Sequence, residues 1–99
     1  MEIVDSLVQE VRDLIGVKSF GLYELIWALN TDHPELSLED KIDFSMQAVR
    51  ELVTVDALHL VKLRWPSEEV VDEMTLDELN RSHFDDPPED GPYVALMEV

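Results

Sequence analysis

Ile3, Val4, Leu7, Val8, Val11, Leu14 and Ile15 recur at three- and four-residue spacing, with Asp5, Gln9, Glu10, Arg12 and Asp13 largely between them. That period predicts an amphipathic helix over 3–15, closed by Gly16 as a left-handed cap. The β-leaning "VKSF" at 17–20 predicts a stub strand. After Gly21, Leu22, Leu25, Ile26 and Leu29 make one stripe of a second helix. Tyr23 and Trp27 form an i, i+4 aromatic pair beside that stripe, read as core or interhelix packing in preference to a ligand box. Asn30 is expected to end this helix, and "TDHPEL" to form a loop, since Pro34 biases His33 away from helix.

Ser37-Leu38-Glu39-Asp40 resembles a capping box opening a third helix that runs to about Val53. Its expected buried side is Leu38, Ile42, Met46, Val49, Leu52 and Val53, with Ala48 close by. The period then shifts to two. In "ALHLVKLRW", 57–65, His59, Val61, Leu63 and Trp65 alternate with Leu58, Leu60, Lys62 and Arg64. That predicts a strand with one mostly apolar face, on which His59 is a satisfied core-side histidine and Trp65 closes the sheet. "PYVALMEV", 92–99, predicts a second full strand. Between the two lies a connection too long for a hairpin turn. Within it, Thr75-Leu76-Asp77-Glu78 is a capping box leading into one or two helical turns, and Val70, Val71, Met74, Leu76, Leu79 and Phe84 could pin the excursion to the body. "DDPPEDG", 85–91, is expected to be extended and mobile. The whole of 1–99 is expected to be a single domain of α+β class.

Charge changes this picture most. Twenty-three acids against seven bases give a net charge of −16 over 99 residues, while 45% hydrophobic residues still support a compact fold. By size scaling such a chain buries somewhat over about 60% of its unfolded surface. A negative field repels nucleic acid and anionic lipid and speeds encounter with basic proteins. Two readings of the charge stand open: a solubilising surface, or a charge selected for a partner. There is no cysteine, which excludes disulfides and thiolate chemistry and fits a cytoplasmic setting. The N-terminal "MEIVDSLVQEV" lacks the basic n-region of a secretory signal, and no apolar run is long enough to span a membrane.

Helix, stub strand, helix, helix, strand, long acidic connection, strand is the chain order of a winged-helix domain. "LYELIWALN" resembles the second helix of that family, and "AVRELVTVDALHLVKLRW" its third helix running into the first wing strand. Asp56-Ala57 stands where such domains often place a glycine. The closing "DDPPEDGPYVALMEV" resembles the last strand of small bacterial winged-helix-like proteins. The resemblance implies three helices followed by a two- or three-stranded antiparallel sheet, with a long acidic wing at about 66–91 containing a short helix. Compatibility with a homodimer is also implied.

Winged-helix proteins are similar in commonly laying the third helix in the major groove. Carried onto this chain, Glu39, Asp40, Asp43, Gln47, Arg50 and Glu51 would meet the duplex. Residues 37–54 hold four acids against Lys41 and Arg50, and 66–91 hold ten acids against Arg81 alone. Duplex affinity comes largely from Lys and Arg displacing counterions, so both elements would repel DNA. His33, His59 and His83 lie apart from one another, and Asp85, Asp86, Glu89 and Asp90 lack the alternate spacing of a calcium loop. No nucleophile elbow and no glycine-rich phosphate loop is present. The sequence thus suggests no catalytic, metal or cofactor site.

The expectation is a non-catalytic module that binds a basic protein, either as a regulator or adaptor or in an immunity- or antitoxin-like role. Glu68, Glu69, Asp72, Glu73 and Asp77 would steer the partner, and Trp65, Phe84 or Tyr93 would anchor it. A winged-helix DNA-binding transcriptional regulator is the competing reading.

Overall fold

The computed structural model describes residues 2–64, 70–85 and 92–98. It holds helices α1 (Glu2–Leu14), α2 (Leu22–Asp32) and α3 (Leu38–Val55), and strands β1 (Phe20–Gly21), β2 (His59–Arg64), β3 (Val70–Met74) and β4 (Pro92–Met97). Two short 3₁₀ turns, Leu76–Glu78 and Arg81–Phe84, follow β3. The strands form one four-stranded antiparallel sheet in the order β1-β4-β2-β3. This is an α+β domain whose layout is compatible with a winged helix.

The helical stripes do what their spacing predicts. Val4, Leu7, Val8 and Val11 of α1, Leu22, Leu25, Ile26 and Leu29 of α2, and Ile42, Ala48, Val49 and Leu52 of α3 are buried in one core. Leu58, just ahead of β2, and Leu60 of β2 close that core, with Val94 and Leu96 from β4 and Met74 from β3. Strand alternation sends Val61, Leu63 and Ala95 to the opposite face, where they form a second, smaller apolar cluster with Tyr93 and Met97. β4 lies between β1 and β2, so its inner residues Val94, Ala95 and Leu96 are buried on both faces. That explains its unbroken apolar run.

Several local expectations are corrected. No described glycine has positive φ, so Gly16 is not a left-handed cap; α1 ends instead with the Val17 and Lys18 amides donating to the Leu14 carbonyl at 3.0 and 3.2 Å. β1 begins at Phe20, and Val17 is exposed. α2 continues past Asn30 to Asp32, because His33 can still cap it by donating its amide to the Leu29 carbonyl. Leu38 is 60% exposed, since it opens α3 ahead of the turn that meets the core. His59 is exposed on the face away from the helices, because Leu60 takes the core side of the strand. Val70 and Val71 are exposed and pin nothing.

The chain reverses sharply after α3, where Ala57 takes a left-handed conformation at φ 56; the winged-helix domains that this stretch of sequence resembles often place a glycine there. The reversal lets the Leu58 amide reach the Leu52 carbonyl at 3.2 Å. A residue with a Cβ bears about 1–2 kcal/mol of strain there, and glycine relieves it at some cost in unfolded-state entropy. Ala57→Gly is therefore expected to raise the unfolding free energy by about 0.5–1 kcal/mol net. An unchanged or lower urea midpoint at constant slope would contradict the assignment.

Candidate protein-docking surface

Acids reach solvent along two neighbouring elements, the first turns of α3 and the segment from β3 into the 3₁₀ turns. α3 starts where the Asp40 amide donates to Ser37 Oγ at 3.1 Å, leaving Glu39 and Asp40 exposed. Capping by a hydroxyl satisfies an orphan amide, and acids in the first turn suit the positive end of the helix dipole. Lys41, which sequence placed among the outer charges, is buried and donates its Nζ to Asn30 Oδ1 at 2.7 Å. It joins α3 to α2 and adds little to the outer surface.

β3 was not foreseen in the connection. It pairs with β2, with a register shift beside Lys62 and Leu63 that leaves Val71 unpaired. Asp72 and Glu73 are exposed on this edge strand. The Glu73 amide donates to Asp72 Oδ1 at 2.9 Å. A bulge, acidic side chains and a locally satisfied amide all blunt the edge against further strand pairing. The Thr75 turn forms as its sequence suggests, with the Thr75 amide and hydroxyl donating to Glu78 Oε1 at 3.0 and 3.2 Å. Asp77 is exposed in that turn.

The connection is tied down at two further points. Arg81 donates to Asp43 Oδ1 at 2.7 Å and to the Glu39 carbonyl at 3.2 Å, an attachment that sequence alone did not suggest. Phe84 is 2% exposed and belongs to the main core. It therefore offers no anchor to a partner in this conformation. Tyr93 is half-buried, edge-on to Tyr23 with ring centroids 5.8 Å apart. Trp65, Glu68 and Glu69, and most of "DDPPEDG", lie outside the described residues. Of the five docking residues read from sequence that are described, Asp72, Glu73 and Asp77 are exposed.

Beside this set is an open cleft of about 430 Å³, lined by Val53, Ala57, His59, Glu73, Met74 and Leu76 among others. His59 Nδ1 lies 3.9 Å from Glu73 on its rim. His33 is paired in the same loose way with Glu35 at 3.6 Å. No group of three or more metal-ligating side chains occurs among the described residues, and no described helix is long and apolar enough to cross a membrane.

His83 sits in the second 3₁₀ turn, where its Nδ1 accepts the Asn80 amide at 3.1 Å. Burial holds its pKa below the ordinary histidine value, Lys62 adds to that effect, and Glu78 opposes it. The unfolded chain then takes up a proton that the folded imidazole resists. Stability from this group is complete above about pH 6.5 and is lost as pH falls through the lowered folded value. Between about pH 7 and 5.5, the wild type should lose urea stability relative to His83→Gln. Parallel pH dependence in the two proteins would contradict this role.

Cations elsewhere are similarly engaged. Arg12 holds Asp56 through two hydrogen bonds, 2.7 and 2.8 Å, with Glu51 3.8 Å away. The bidentate bond and the charge of Arg12 hold the Asp56 carboxyl below its usual range, against a smaller opposing effect of burial. Lys18 pairs with Glu24 at 2.6 Å. No family model, curated protein or solved structure matches the chain.

Proposed function

We propose that this protein is a non-catalytic interaction module on a winged-helix scaffold, acting in a bacterial cytoplasm and binding a basic protein partner. The scaffold reading draws on the chain order and on the placement of β4 between β1 and β2. The functional reading is carried by one observation: Arg12, Lys18, Lys41 and Arg81 are engaged by side chains of the same molecule. Among the described residues, the outer surfaces of α3 and β3 then carry more exposed acids than bases, with Arg50 exposed on α3 and Lys62 half-buried opposite Asp72, a balance that disfavours phosphate. Asp43 is offset by Arg81, yet Glu39, Asp40, Asp72, Glu73 and Asp77 stay exposed. Acids of this kind steer a cationic surface into place and set its orientation. A regulator or adaptor and an immunity-like inhibitor of a basic nuclease share this chemistry.

Affinity capture from the native host, with and without nuclease treatment, tests the reading. The expected product is a basic protein that survives nuclease treatment and elutes with rising salt. Recovery of nucleic acid, or of proteins lost on nuclease treatment, would favour the competing reading, DNA-directed regulation on the same scaffold.

A further inference from the structure

Trp27 is 51% exposed in the middle of α2, although its helical spacing beside Tyr23 suggested packing. Its indole is not loose. Tyr23, which is buried, meets it edge-to-face with centroids 4.8 Å apart, and Tyr93 in turn meets Tyr23. A large aromatic surface is thus held in one orientation before any partner arrives, which lowers the ordering cost of binding.

The ring stands as a ridge between two clefts. One, of about 300 Å³, is floored by Leu14, Phe20 and Ala28, with Glu10, Glu24 and Asp32 at its margin. The other, of about 240 Å³, lies against Ile26, Asn30, Leu38, Phe84 and Asp85, and its Asn30 side chain accepts a hydrogen bond from Lys41 Nζ at 2.7 Å. Leu14 and Leu38 extend the apolar surface at 39% and 60% exposure. Neither cleft has a basic residue in its lining. Beside the first cleft, Lys18 lies over the Phe20 ring and is paired with Glu24. Glu10 and Asp32 remain as acids around the apolar floor of that cleft.

We infer that the exposed Trp27 ring and the first cleft beside it seat a cationic amphipathic segment of a protein partner, with an apolar side chain in the cleft and Lys or Arg facing Glu10 and Asp32. Charge selects this occupant. A nucleic acid or an anionic surface meets repulsion here, and a second copy of a chain with net charge −16 brings the same sign to the seat. An apolar anchor flanked by cations on an amphipathic segment matches both the ring and the acidic margin of the cleft. The inference rests on the proposed protein-binding function but places the contact on α2, away from Asp72, Glu73 and Asp77.

The test uses the full chain carrying Trp65→Phe, so that Trp27 is the fluorescent reporter. It is titrated with a synthetic helical peptide of leucine and lysine in amphipathic spacing, with its leucine–glutamate counterpart, and with oligolysine. Saturable quenching or a blue shift is expected with the leucine–lysine peptide and not with the other two. Calorimetry on the otherwise native chain should show Trp27→Ala weakening that binding by about tenfold or more. Asp32→Lys with Glu10→Lys should weaken it to a similar degree, each variant being checked for a native circular dichroism spectrum. Equal affinity in Trp27→Ala, with binding abolished instead by charge reversal at Glu73 and Asp77, would overturn the α2 seat and leave the wider protein-binding reading standing. Failure of both cationic probes to bind would overturn both. Concentration-dependent self-association lost in Trp27→Ala would reassign the seat to a second copy.

Discussion

Phe84→Ala should destabilise the protein by about 3–5 kcal/mol, the usual cost of truncating a buried phenylalanine. The ring is almost fully excluded from solvent within the main core, and it is carried by a single 3₁₀ turn held by short-range hydrogen bonds, from the Ser82 and His83 amides to Asn80 and from the Asp85 amide to the Ser82 carbonyl. Removing it leaves a cavity and frees the segment from Leu76 to Asp85, whose other fastenings are Arg81 on Asp43 and the half-buried Leu76 and Leu79. Domains of this size are stable by only about 5–15 kcal/mol, so the loss is a large share of the whole. Urea unfolding gives the magnitude, and hydrogen exchange should show residues 76–85 opening first. A loss below about 1 kcal/mol would mean that the connection is not a fastened part of the domain.

The second large effect is kinetic. Asp72→Asn, Glu73→Lys and Asp77→Lys, made together, should slow association with a captured basic partner by about tenfold or more at low salt. Asparagine at the first position keeps an acceptor for the Glu73 amide, now received by Asp72 Oδ1. All three side chains are exposed, so folding should be retained. Dissociation should change less than association, because exposed charges act mainly on encounter. The two proteins should converge as salt rises and the charges are screened. An unchanged association rate at low ionic strength would remove the acidic edge from the account.

The helices were legible because each has enough turns for its apolar stripe to repeat. Their ends were less so. Gly16 suggested a left-handed cap by residue type alone, yet the reversal went to Ala57, whose side chain gives no such signal. β3 escaped notice because Val70-Val71-Asp72-Glu73 does not alternate and its two acids are poor strand residues. It is a strand only because β2 offers it a partner. His59 was put on the wrong face because Val61 and Leu63, its alternation partners, are apolar; they are indeed buried, but in the second cluster.

The candidate site was legible as charge and not as geometry. Sequence could count the acids of 66–91. It could not foresee that Arg81 reaches back to α3, that Phe84 turns inward, or that Trp27 stands out while Tyr23 is buried. Each of these depends on contacts between residues far apart in the chain or on which side of a wide helical face meets the core.

Titration of a labelled generic duplex at low ionic strength tests most directly whether this molecule's outward field turns it from nucleic acid toward protein. The expected result is no saturable binding at low salt, where any attraction to phosphate would be strongest. Tight binding whose logarithm falls steeply with the logarithm of salt concentration would contradict the account.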